Sequence, residues 1–242
     1  MNRDSNVYTF IFAAVMVFVV ASVLAFTATS LKDLQSENVR LEKMQNILST
    51  IGIETDREKA EVLYNKYVIE EHALKNDGSI DKSVNAFNIK LNTELKKEVA
   101  DQRFPLYVAN VEKNTYYIVP LRGAGLWDAI WGYIALKEDQ NTIKGAVFDH
   151  KAETAGLGAE ITQKWFQNRF VGEKILDQQG SLKGIVVSKT NNDPNDTDKE
   201  DHEVDAISGA TITGDGVTDM IMERLTHYMP YFKNQRRSMA LN

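Results

Sequence analysis

Near the start of the chain, Val7 to Phe26 (VYTFIFAAVMVFVVASVLAF) run for 20 positions without a charge. At about 1.5 Å per residue a helix of that length spans roughly 30 Å, the thickness of a bilayer core. The pattern predicts a short tail over 1–6 and a retained transmembrane helix over 7–26. A cleaved signal sequence fits less well, because its apolar stretch usually runs about 7–15 residues. The AFTATS that follows also offers a poor small-residue cleavage site. Leu31, Leu34, Leu41, Met44 and Leu48 then recur at helical spacing, with Gly52 as the stop. Thr55 to Glu58 (TDRE) has capping-box spacing and predicts a second helix to about Tyr67. Residues 27–75 are therefore read as membrane-proximal helices, while the polar, mixed stretch from Asn76 to Asp101 commits to no element.

The pattern changes beyond residue 103. FPLYVANV and TYYIVPLR flank Glu112, Lys113 and Asn114 as one hairpin, and WGYIALK and TIKGAVF flank Glu138 to Asn141 as another. Ile161, Trp165, Phe166 and Phe170 predict a helix over Ala159–Phe170, and LKGIVVSK a further strand. Val217, Ile221, Leu225, Tyr228 and Phe232 mark one face of a closing helix that starts near Thr213. No repeat or Gly/Ser linker divides these pieces, so 76–242 is expected to be a single soluble α+β domain on one tether.

Composition narrows the function. A net charge of −6 argues against a nucleic-acid partner, which needs a basic stripe. The chain has no Cys, which removes disulfides, thiolate metal sites, Cys-ligated iron–sulfur clusters and a Cys nucleophile. The acidic loop NNDPNDTDKED lacks the sixth-position Gly and distal Glu of a calcium loop, and reads as a solvated loop. Arg3 precedes the span and Lys32, Arg40 and Lys43 follow it, so a plain charge count puts the C-terminal side in the cytoplasm. Large domains translocate despite such charges, and the side of the membrane stays open on charge alone.

Three glycine-bearing clusters carry the candidate chemistry. In DAISGATITGDGV, Ser208, Thr211 and Thr213 sit among Gly209, Gly214 and Gly216 before the closing helix. They suit either helix capping or an anionic phosphate drawn to free N–H groups, with a hydroxyl placed to be esterified. The absence of a Lys excludes a phosphate loop of the Walker A type. In LRGAGLWDAIWGY, Gly123 and Gly125 precede Leu126 and Trp127; Trp127 and Trp131 suit a core pair or an aromatic wall. In DHKAETAGLGAEI, His150 has no second His at metal-ligand spacing, and Glu153 and Thr154 offer polar contacts beside Gly156 and Gly158.

Taken together and in this order, GAGLW (Gly123–Trp127), HKAETAGLG (His150–Gly158) and D-x-x-S-G-A-T (Asp205–Thr211) resemble the NqrC family, the C subunits of Na+-translocating NADH:quinone reductases. The resemblance covers nearly the whole chain. Ala155 departs from it, standing where that family usually has Pro. It implies an electron-transfer subunit, inactive alone, within a six-subunit inner-membrane complex that oxidises NADH, reduces ubiquinone and exports Na+. It implies FMN, installed from FAD by a separate flavin transferase and bound covalently through its phosphate to Thr211. Ser208, Gly209 and Ala210 would shape that approach, and Asp205 would serve transferase recognition or polarise the acceptor. Leu126, Trp127, Thr154 and Leu157 would contact the flavin ring with Glu153 as a polar neighbour. The domain would face the periplasm. Three alternatives stand beside it: the G subunit of the Rnf-type ferredoxin:NAD+ complex, a cofactor-free, membrane-tethered binding module, and a self-sufficient periplasmic reductase, which would need a substrate pocket with its own acid or base.

Overall fold

Residues 5–191, 193 and 197–240 are described by a computed structural model of the chain. Part of the acidic loop, 192 and 194–196, lies outside them. Two compact units divide at Lys43 and Met44. In the first, helix α1 (Asn6–Thr50) carries the apolar run with its side chains exposed, Phe10, Phe18 and Phe26 among them. It is long and apolar enough to cross a membrane. The helix continues unbroken through the Leu31–Leu48 stripe and stops where that stripe ends. Gly52 takes φ +85°, its N–H donates to the Ser49 carbonyl at 3.0 Å, and Ile53 N–H donates to Leu48 O at 3.0 Å. That pair of bonds is a Schellman end, which a residue without Cβ closes at least cost.

The second unit starts with the last turn of α1. Helix α2 (Arg57–Tyr67) is capped one residue later than the sequence suggests: Asp56, not Thr55, accepts the Lys59 N–H. The helical expectation for 27–75 ends at Tyr67, because Val68–Leu74 is a strand, β1. Between β1 and the hairpins the chain makes two 3₁₀ turns and the single-turn helix α3 (Leu91–Glu94). Strands β2 (Phe104–Val111), β3 (Asn114–Ala124), β4 (Ala129–Leu136) and β5 (Ile143–His150) extend β1 into a five-stranded antiparallel meander in chain order. Glu112 and Lys113 both take positive φ, so the β2–β3 turn is a two-residue loop of the hairpin-favouring hand, and Asn114 is already strand.

Alternation assigns the faces of the sheet. Leu106, Val108, Val119, Leu121, Ile130, Ile134 and Phe148 pack with Val217, Ile221, Leu225, Tyr228 and Phe232 of helix α5 (Thr211–Ala240). Tyr107 points the other way and meets Tyr64 of α2 edge-on at 6.4 Å. On the same side a Cβ at Gly145 would meet the Thr50 carbonyl oxygen at 2.4 Å, so the end of α1 lies against β5. The Ala159–Phe170 helix is instead three short turns, a 3₁₀ turn Gly158–Thr162, helix α4 (Lys164–Gln167) and a 3₁₀ turn Asn168–Phe170. LKGIVVSK keeps only β6 (Val186–Val187), which pairs in parallel with β7 (Glu203–Val204).

Phe148 is 1% exposed and contacts the rings of Phe170 at 4.9 Å and Phe166 at 6.1 Å. Phe148→Ala should destabilise the unit by about 3–5 kcal/mol, read as a lower urea midpoint at unchanged m. His227 stacks on Phe104 at 4.1 Å, and burial, then the Arg224 charge, holds its pKa below the usual imidazole value. The folded state thus favours the neutral ring. Stability is full above about pH 6.5 and falls as acid protonates the unfolded imidazole first. Thermal melts of His227→Phe should show a shallower loss below that pH than melts of the wild type.

Candidate functional site

One edge of the sheet gathers all three glycine-bearing clusters. The β3–β4 loop, Gly125–Asp128, closes through Gly125 N–H to Asp128 O at 2.8 Å. Because β5 runs antiparallel to β4 and pairs His150 with Ile130, the 151–158 loop emerges beside it. The turn after β7 then delivers the start of α5 to the same place. A cleft of about 230 Å³ lies between them, lined by Leu126, Glu153, Thr154, Leu157, Gly158, Gly209, Ala210, Thr211, Ile212 and Thr213. Two larger clefts, about 510 Å³ along α5 at Met222, Met229 and Pro230 and about 390 Å³ beside Ser49, Glu54 and Lys164, join no such set.

A buried carboxylate fastens the clusters to one another. Glu153 is 7% exposed; its Oε1 accepts the Trp127 N–H at 3.0 Å and its Oε2 accepts the Thr213 hydroxyl at 2.6 Å. Its own N–H donates to His150 Nδ1 at 3.1 Å, which occupies that ring nitrogen. Space for the carboxylate comes from two glycines. A Cβ at Gly125 would stand 2.5 Å from Oε1, and one at Gly158 would stand 2.4 Å from Oε2 and 2.5 Å from the Thr213 hydroxyl. Either contact would force the carboxylate to move.

Helix α5 begins at Thr211, two residues before the expected Thr213. The residue ahead of it, Ala210, accepts the Gly214 N–H through its carbonyl but has no side-chain oxygen to cap the first turn. Thr213, which has a capping hydroxyl, spends it on Glu153. The N–H groups of the first turn have no intrahelical acceptors. The Thr211 side chain is exposed, and its hydroxyl has no hydrogen-bond partner among the described residues. Gly209 takes φ +75° and turns the chain into the helix. A free hydroxyl, an uncapped helix start and its partial positive charge together favour a phosphate.

Seven of the ten sequence candidates line the cleft: Leu126, Glu153, Thr154, Leu157, Gly209, Ala210 and Thr211. Three do not. Ser208 is exposed in the preceding turn. Trp127 touches the site through its backbone N–H, while its side chain stands 68% exposed outside the lining. Asp205 is buried away from the cleft, ion-paired to Arg169 at 3.1 Å. Ile212, exposed on the rim, and Gly158 against Glu153 were missed as ligand-facing positions, though Gly158 lies inside the third cluster. The described residues contain no group of three or more His, Asp or Glu placed to hold a metal ion.

The FMN-binding domain family model matches residues 125–226, which take in the Gly123–Trp127 cluster from Gly125 onward and the other two whole, in a chain whose α1 is long and apolar enough to cross a membrane. The C subunit of the Na(+)-translocating NADH-quinone reductase of Vibrio parahaemolyticus is 30% identical over 240 residues, covering 89% of each chain. The crystal structure of the same subunit from Parabacteroides distasonis superimposes with a TM-score of 0.74 at 36% identity, over 83% of this chain and 96% of that one. Shewanella oneidensis NqrC superimposes with a TM-score of 0.65 at 25% identity, over 82% and 98%. The chain belongs to the NqrC family, the C subunits of the Na(+)-translocating NADH-quinone reductase, an oxidoreductase complex.

The Glu153 bonds predict an asymmetric response to substitution. Glu153→Gln keeps an acceptor for the Trp127 N–H and should cost no more than about 1–2 kcal/mol. Glu153→Leu strands the Trp127 N–H and the Thr213 hydroxyl and should cost about 3 kcal/mol or more. Chemical denaturation of the two variants checks the order, and equal losses would remove the carboxylate from this role.

Proposed function

We propose that this chain carries FMN esterified to the Thr211 hydroxyl and relays electrons inside a membrane NADH:quinone reductase that exports Na+. The observation that carries this reading is the Thr211 hydroxyl, which has no hydrogen-bond partner among the described residues, at the head of a helix without a side-chain cap from them, opening onto the cleft. In maturation a flavin transferase would join the Thr211 oxygen to the FMN phosphorus of FAD; the pyrophosphate bond breaks, AMP leaves and the hydroxyl proton is lost. The first-turn N–H groups of α5 would take the remaining phosphate charge. Bound FMN supplies the capacity to accept and pass electrons. The chain's own part is positional: Leu126, Leu157 and Ile212 present apolar surface at the rim, which limits water beside a bound ring, and Glu153 holds that rim in place.

The domain faces the periplasm on this reading, tethered by α1, with the other members of a six-subunit complex as partners and ubiquinone as the final acceptor. Val7–Phe26 offer no Asp, Glu, His, Lys or Arg for a midplane Na+ site, so the ion path belongs to partner subunits. The long segment between the anchor and β2, and NqrC relatives matched along most of their length, favour the quinone reductase over the Rnf-type G subunit. A cofactor-free binding module leaves the bare Thr211 and the uncapped helix without a use.

Produced with a flavin transferase and then denatured, the wild-type chain should weigh one FMN less one water above its sequence mass and fluoresce on a gel. Thr211→Ala should show neither, while the fold remains. A Thr211→Ala chain that still retains flavin after denaturation would overturn the covalent assignment, and a bare wild-type chain would overturn the FMN reading itself.

A further inference from the structure

The turn that presents Thr211 is thinly held. Strand pairing stops at Val204, whose carbonyl accepts the Ser188 N–H at 2.8 Å, and the helix starts at Thr211. Between them, among the described residues, the backbone forms one bond of its own, Ala210 N–H to Ile207 O at 3.0 Å. Ile207 plugs the turn into the core. The polar tie is Asp205, whose side chain is 5% exposed and stands 3.1 Å from Arg169 Nη1, an ion pair whose two atoms approach without hydrogen-bond alignment. Its other oxygen accepts the Asp193 N–H at 3.3 Å. Arg169 is itself fixed: its guanidinium lies over the Trp165 ring at 5.4 Å, and its carbonyl accepts the Lys199 ammonium at 3.0 Å.

We propose that Arg169 is a positioning residue for the attachment threonine, acting through Asp205 to hold the 205–210 turn so that Thr211 meets the cleft. Arg169 belongs to the same run of short turns whose first residue, Gly158, lines that cleft, so the ion pair clamps the first and third clusters from behind. Removing one partner of a buried pair strands the other charge, and the cheapest escape is for the turn to swing Asp205 into water. Thr211 would leave with it. Asp205 is then a structural anchor, whatever else recognises the motif, and the consequence for FMN loading rests on the proposed attachment at Thr211.

The full-length protein in detergent, expressed with a flavin transferase, tests this with Arg169→Gln, Arg169→Lys and the control Arg103→Gln. Arg103 pairs with Asp81 at 2.8 Å with comparable burial, away from the cleft. Thermolysin cleavage between 204 and 210 should quicken about tenfold or more in Arg169→Gln, stay near wild type in Arg103→Gln, and be largely restored in Arg169→Lys. The FMN-bearing fraction, by intact mass, should fall in parallel in Arg169→Gln alone. Wild-type cleavage kinetics in Arg169→Gln, or equal acceleration in Arg103→Gln, overturns the positioning role whether or not FMN is attached. Full loading despite rapid cleavage overturns the link between the turn and the threonine. A wild-type chain with bare Thr211 refutes only the FMN assignment, and the cleavage comparison still decides Arg169.

Discussion

Everything at the edge of the sheet depends on keeping one carboxylate away from water. An ionised group in a low-dielectric interior is costly unless its oxygens are matched, and Glu153 is matched by two donors from opposite sides. One donor belongs to the β3–β4 loop and the other to the first turn of α5, so satisfying the charge fixes their separation. The loop carrying Glu153 is held in turn through His150. Gly125 and Gly158 follow as necessities of volume, since any side chain there would displace the oxygens. The glycine-rich look of the clusters thus owes as much to this buried group as to a ligand.

The same bond explains the uncapped helix. Helix α2 obeys the usual rule, with Asp56 accepting a first-turn N–H. Helix α5, nearly three times as long, has Ala210 ahead of its first turn, and Thr213 turns its hydroxyl inward to Glu153. Among the described residues, the first-turn N–H groups and the dipole are therefore left without a side-chain partner. Leaving them bare costs stability that the long buried face of α5 supplies, through Val217, Ile221, Leu225, Tyr228 and Phe232.

Where residue pattern and structure agree, local spacing decides the outcome. The β2–β3 and β4–β5 hairpins and the α5 face follow from alternation and from helical periodicity, which need no long-range information. Disagreement arises where distant partners decide. Strand β1, VIEEHAL, exists because β2 offers it an edge, and adjacent glutamates hide any two-residue period. LKGIVVSK shrinks to Val186–Val187 because only Glu203–Val204 lies alongside. Ile161, Phe166 and Phe170 are buried as helical spacing suggests, yet the chain reaches those positions through three short turns, with Trp165 half-exposed. At the site, the three clusters were readable as motifs, but not the bonds joining residues 127, 153 and 213. Nor was the Arg169–Asp205 pair, whose partners stand 36 residues apart.

A cofactor held by a covalent bond changes what a cleft must do. Enclosed ligand pockets commonly reach about 300–1,000 Å³ because burial has to provide all of the affinity. This cleft is about 230 Å³ and open, with Leu126, Leu157 and Ile212 exposed at its rim. The proposed bond at Thr211 would remove the affinity requirement and leave orientation as the remaining task. For an electron relay that trade is favourable, since a ring sunk in the core could not be approached by partners on either side of the transfer. On the proposed attachment, the exposed apolar rim and the outward side chain of Trp127 would serve one arrangement: a ring backed by protein on one side and open to other subunits on the other.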